Sequence, residues 1–193
     1  MGLTWTDGRP LRVLDFDIET RRIGFHSAGR FNPDGCEPVA IAAGWCDQAK
    51  VDIQIRDPIT DLPWLLAWFR NLWDEADAVT GHYIRRFDLP ILNGALLEHG
   101  FPLLTPKLVS DTKGDLVARE GMSASQENLS LMFKLGAKKY HMADYDWRAI
   151  ARLEPDAMEE CRKRVISDVR QHKALRKALI KAGALHPPRV WSP

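Results

Sequence analysis

In the stretch Arg12-Val13-Leu14-Asp15-Phe16-Asp17-Ile18-Glu19-Thr20, Asp17 and Glu19 stand two residues apart among residues that favour a buried strand. Side chains on a strand alternate between its faces. Val13, Asp15, Asp17 and Glu19 are therefore expected to point one way, and Leu14, Phe16 and Ile18 into a core. Two carboxylates converging beside a core repel each other and lose hydration, a cost that a cation offsets. Hard oxygen ligands suit Mg²⁺ or Mn²⁺. Taken alone, the pair also reads as solvated acids at a strand end.

Two further acids stand where acids are unusual. The segment Pro155 to Lys181 has helical periodicity, with an apolar stripe through Met158, Cys161, Val165, Leu175 and Leu179. Asp168 and His172 fill the two positions that complete the stripe. On this helix alone, Asp168 would pair with Arg164 or Arg170, and His172 reads as a core histidine. In Gly81-His82-Tyr83-Ile84-Arg85-Arg86-Phe87-Asp88-Leu89-Pro90, Asp88 stands at a strand-to-helix junction, where an N-cap residue would also stand.

The elements that must position these residues are legible in outline. Pro38 to Cys46 and Val51 to Ile55 form a hairpin beside the first strand. Leu62 to Trp73 is a helix, Ala78 to His82 a short strand and Leu89 to His99 a second helix. The second half is mostly helical, with candidates at Asp111 to Arg119, Glu127 to Lys134 and Pro155 to Lys181. Ser123 to Gln126 matches a capping box, and Lys138 to Trp147 reads as a loop. The expected architecture is α/β: three antiparallel strands continued by parallel strands in one mixed sheet flanked by helices. Residues 1–185 are expected to form one domain, and 186–193, with Pro187, Pro188 and Pro193, an extended tail.

Composition narrows the functional classes. The chain has 193 residues, 45% hydrophobic and 27% charged, with a formal net charge of +1, so any contact with nucleic acid should be local rather than a broad basic surface. Three cysteines without metal-type spacing are expected to be reduced thiols of a cytoplasmic protein. The opening residues show no leader pattern, and no apolar run approaches the ~20 residues of a membrane span.

Taken together, Phe16-Asp17-Ile18-Glu19-Thr20, Gly81-His82 through Phe87-Asp88-Leu89-Pro90, and Ser167-Asp168-Val169 with Leu175 resemble, in order and context, the three motifs of the DnaQ-like 3′–5′ exonucleases. These are the DEDD superfamily on a ribonuclease H-like fold. Ser110-Asp111-Thr112 followed by Glu127-Asn128-Leu129-Ser130-Leu131 resembles the segment leading to the third motif. The likeness runs from Arg12 to Leu179 and is nearest to the exonuclease domains of family B-type polymerases.

The resemblance implies that Asp17, Glu19, Asp88 and Asp168 hold two Mg²⁺ or Mn²⁺ ions ~4 Å apart, which activate a water and stabilise the departing 3′ oxygen. The implied substrate is the 3′ end of single-stranded DNA or RNA, with a polymerase or replication partner and no membrane. Phe16, Phe87 and Trp147 are candidate stacking walls, and Arg85, Arg86, Lys138 and Lys139 candidate phosphate contacts, each also readable as core or as solvated charge.

The chain departs from the family in two places. The family's tyrosine four residues before the last acid is Arg164 here, and the alternative histidine position five before is Lys163. Arginine cannot serve as a general base. His172 is the candidate replacement, while Tyr140, four residues before Asp144, lies in the polar loop. In the second motif Tyr83 stands where the family has asparagine. A catalytically silent nucleic-acid-binding or polymerase-associated module is therefore the alternative expectation.

Overall fold

The computed structural model describes residues 8–22, 35–57, 59, 61–118, 121–136 and 140–193. Its centre is a mixed sheet. β1 (Val13–Arg22), β2 (Cys36–Trp45) and β3 (Asp52–Ile55) pair antiparallel, and β4 (Ala78–Gly81) and β5 (Lys107–Asp111) continue parallel to β1. β6 (Arg189–Trp191) pairs antiparallel with β5 and completes the order β3-β2-β1-β4-β5-β6. The C-terminal segment expected to be extended thus supplies an edge strand, a pairing that its prolines do not announce.

The alternation in β1 sorts two cores. Leu14, Phe16 and Ile18, with Ile41 and Ala43 of β2, pack against α1 (Leu62–Glu75) and α2 (Asp88–Glu98). Phe16 lies 4.9 Å, ring to ring, from Phe69. On the opposite face Val39, Ala40 and Ala42 meet Ile150 of α4 (Asp144–Ala151) and Met158, Cys161, Val165 and Val169 of α5 (Pro155–Lys181). A third cluster joins Leu129 of α3 (Gln126–Met132) to Leu175 and Leu179 near the end of α5. Burial of both faces explains the near-continuous small and apolar run of β2.

Local chemistry sets the element ends. Asp61 caps α1 by accepting from Trp64 N at 3.1 Å, and Ser125 caps α3 by accepting from Asn128 N at 3.2 Å. The cap of α3 therefore lies two residues after Ser123, where the sequence pattern starts. Two other expectations are corrected. Asp111 ends a strand rather than opening a helix, because its carboxylate accepts from Lys113 N at 3.0 Å and Gly114 N at 2.9 Å and folds the chain into a turn. Arg119, the end of that expected helix, lies outside the described residues. The expected loop from Lys138 to Trp147 contains the start of α4, where Asp146 accepts from Ala143 N at 2.8 Å.

Gly81 closes β4 where a side chain has no room. A Cβ there would lie 2.3 Å from Ile84 Cγ2 and 2.9 Å from the Phe16 carbonyl oxygen. Among the described residues none of the three cysteines forms a disulfide. Among the described residues no helix is long and apolar enough to cross a membrane.

Candidate metal centre and its cleft

β1 outruns its parallel neighbour. The β1–β4 ladder ends at Asp15 and Thr80, so the stretch of β1 that carries Asp17 and Glu19 lies beyond the end of β4. A crevice beyond the carboxyl ends of parallel strands is where open α/β sheets place their ligands. Asp88, the first residue of α2, fills part of this gap. Its Oδ1 accepts from Ile18 N at 3.2 Å, and α2 carries no side-chain cap. The capping reading of Asp88 thus gives way to a bridge onto β1.

α5 runs antiparallel to β1 and matches it step for step. Four residues of helix advance about 6 Å, and two residues of strand about 6.7 Å. Arg164 accordingly meets Glu19, Asp168 meets the Asp17–Glu19 pair, and His172 meets Asp15. Ligand oxygens of Asp17, Glu19 and Asp168 lie within 4.8 Å of one another. Just beyond Glu19 the pairing of β1 with β2 shifts register, a bulge of the kind that re-aims strand side chains beside sites.

Three carboxylates at that spacing form a donor set suited to one hard divalent cation. Asp88 stands outside the trio yet close enough for Glu19 to act on it. Burial, reinforced by the charges of Asp111 and Glu19, pushes its carboxyl up to about 8, while the hydrogen bond from Ile18 N pulls the other way. Burial without a cation thus favours the neutral form of Asp88.

A cation already stands in the cluster. Arg164 Nε donates to Glu19 Oε1, Nη2 lies 3.7 Å from Asp168 Oδ2, and Nη1 donates to the Tyr140 carbonyl at 2.8 Å. Its guanidinium also sits 5.0 Å from the centre of the Trp147 ring. The pairing of Asp168 with Arg164 read from the helix and the convergence of Asp168 on Asp17 and Glu19 both hold. The guanidinium and a divalent ion would compete for the same oxygens.

His172, the candidate replacement base, lies outside the trio of carboxylates. Its Nδ1 lies 2.7 Å from Asp15 Oδ1 and its Nε2 2.9 Å from Thr112 Oγ1, so both ring nitrogens are engaged in a buried chain. The Thr112 hydroxyl continues the chain to His82 Nδ1 at 2.9 Å. The Tyr140 hydroxyl is likewise engaged, with Glu160.

Beside Glu19 lies a cleft of about 450 Å³ with Phe87 and Trp147 on its walls and Arg21, Arg22 and Arg148 at its margin. Two of the three expected stacking residues thus reach the cleft. Phe16 does not, being wholly within the core. Lys138 and Lys139 lie outside the described residues, and Arg85 and Arg86 face another cleft. The sequence reading passed over Asp15 as a partner, although its shared face with Asp17 and the one-turn step from Asp168 to His172 together carry that signal.

No family model and no curated protein matches the chain. Among solved structures it is similar to the family B DNA polymerase of the hyperthermophilic archaeon Pyrobaculum calidifontis, with a TM-score of 0.65 and 19% identity over 90% of this chain. The chain spans 25% of that polymerase's length. The likeness is one of fold: this chain is a ribonuclease H-like α/β arrangement, shared with part of a family B polymerase structure.

Proposed function

We propose that this protein is a metal-dependent 3′–5′ exonuclease that shortens single-stranded DNA or RNA and releases nucleoside 5′-monophosphates, as a polymerase-associated module. The observation that carries the reading is the convergence of Asp17, Glu19 and Asp168, from opposite ends of the chain, at one edge of a cleft walled by Phe87 and Trp147. A divalent ion, Mg²⁺ or Mn²⁺, held by those carboxylates with Asp88 would lower the pKa of a water and neutralise charge at phosphorus.

The chain's own residues do the rest. Phe87 and Trp147 offer π-faces to a terminal base, a sequence-tolerant contact that suits an unpaired end. Arg22 and Arg148, which also line the cleft, would offset phosphate charge.

The test is product sizing on 5′-labelled DNA and RNA oligonucleotides with Mn²⁺. Stepwise shortening that Asp17→Ala abolishes is the expected result, whereas a single internal fragment would make the protein an endonuclease. Arg164, seated on Glu19 and Asp168, favours a second reading in which the module binds nucleic acid without cutting it. Binding by the wild type with no release from any substrate would establish that reading instead.

A further inference from the structure

The His82–Phe87 loop separates two clefts. Phe87 faces the cleft beside Glu19, while its neighbours Tyr83, Arg85 and Arg86 line another of about 590 Å³ together with Arg189 and Trp191 of the edge strand β6. This second space contains none of the four acids assigned to the metal.

Three features of the cleft point to a ligand. Tyr83 adopts φ 73°, a left-handed conformation that bulky residues rarely hold and that is kept where the surroundings over-determine it. Here the buried Asp111 carboxylate does so, accepting from Tyr83 N at 2.8 Å and Arg85 N at 3.1 Å. The result is a half-exposed phenol ring turned onto the cleft, with Lys113 Nζ 4.0 Å from its centre. Trp191 supplies a second ring, anchored edge-on to Trp73 at 5.8 Å.

The charges are also arranged. Arg85 is fixed by Asp115 at 2.7 Å and by the Val109 carbonyl. Arg189 is two-thirds exposed and reaches Asp115 only at 3.4 Å. Arg86 is exposed and has no ion pair with any described residue. Arg85, Arg86, Arg189 and Lys113 outnumber the buried Asp111 and Asp115, which are turned inward onto backbone N–H groups and Arg85. Fork-shaped donors suit phosphate, and aromatic faces suit bases.

We propose that this cleft is a second nucleotide-binding site, which takes a nucleotide's phosphate on Arg86 and Arg189 and its base against Tyr83 or Trp191. The proposal deepens the exonuclease reading and rests on it only for the nature of the strand: one loop would guide an unpaired chain from this cleft into the other. A free nucleotide offers the same chemistry.

Binding to the whole chain is to be measured in EDTA, where no turnover occurs, so an inactive protein would leave the result intact. The probes are a 5′-fluorescein thymidine dodecamer, read by anisotropy across a salt series, and thymidine monophosphate, read by equilibrium dialysis. The double substitution Arg86→Ala with Arg189→Ala should weaken dodecamer binding about tenfold and lower the salt slope by roughly 0.7, the value for one phosphate on a single strand. Tyr83→Asn, which suits the left-handed backbone, should weaken binding while melting no earlier than wild type. A loss confined to the dodecamer assigns the cleft to a strand, and a loss for thymidine monophosphate as well assigns it to a single nucleotide; both support the proposal. Unchanged affinity and salt slope in all the cleft variants, or no binding by the wild type, would overturn it.

Discussion

The guanidinium of Arg164 is bonded to the carboxylate of Glu19, 145 residues earlier in the chain, and the two side chains are each only 13% exposed. This pair is the last step of an antiparallel match between α5 and β1 in which Asp168 meets Asp17 and His172 meets Asp15. The acid cluster therefore carries its own counter-charge, and a divalent ion entering it would compete with an arginine rather than meet a field of bare carboxylates.

Removing that arginine should expose the competition. Breaking a nearly buried ion pair from one side leaves an uncompensated charge, so Arg164→Ala should lose about 3 kcal/mol of stability in EDTA by denaturant unfolding. Added Mn²⁺ should return most of that loss, because an ion that binds only the folded state stabilises it. Calorimetric titration should show Mn²⁺ binding at least about tenfold tighter than in wild type, within the range by which neighbouring groups tune metal sites. Equal or weaker Mn²⁺ binding by the variant would show that the guanidinium does not compete for these oxygens.

Asp88 sets a pH dependence of opposite sign to the usual salt-bridged carboxylate. Burial first, then the charges of Asp111 and Glu19, raise its carboxyl from 3.8 to about 8 in the folded, metal-free protein. Between those values the folded state binds a proton that the unfolded state has lost. The contribution of Asp88 is thus fully present below about pH 4 and is lost as pH rises through about 8, at up to about 1.4 kcal/mol per pH unit for one proton. Asp88→Asn keeps a neutral polar group there and should flatten this part of the profile. Denaturant unfolding in EDTA from pH 5 to 8 checks it, and parallel profiles for wild type and variant would refute the assignment.

The candidate site was readable because its residues contradict their surroundings. Asp17 and Asp168 are acids in otherwise apolar patterns, and each pattern fixes a face: strand alternation for one, the three-and-four spacing of α5 for the other. Nothing local says that those faces meet, and the order of the three motifs supplied that step. What escaped depends on tertiary partners. Asp111 read as the start of a helix because its turn is built by its own carboxylate. Arg189–Trp191 read as a tail because a three-residue edge strand has no pattern of its own and exists only through the open side of β5. His172 read both as a core histidine and as a candidate base, because its partner Asp15 is 157 positions away.

That last contact separates structure from chemistry. With no exposed surface, Asp15 depends on the His172 ring, which also joins it to Thr112. His172→Ala should therefore cost about 3–5 kcal/mol by stranding a buried carboxylate and leaving a cavity. Asp15→Asn should cost part of the same energy, and the double variant less than the sum of the two, since both remove one interaction. Thermal and denaturant unfolding of the four proteins measures that coupling. A residue that only holds the fold leaves the metal cluster alone, so Mn²⁺ affinity of folded His172→Ala should match wild type. If nucleotide release is observed, its pH profile should also keep its shape. A changed profile with unchanged stability would return His172 to the role of base.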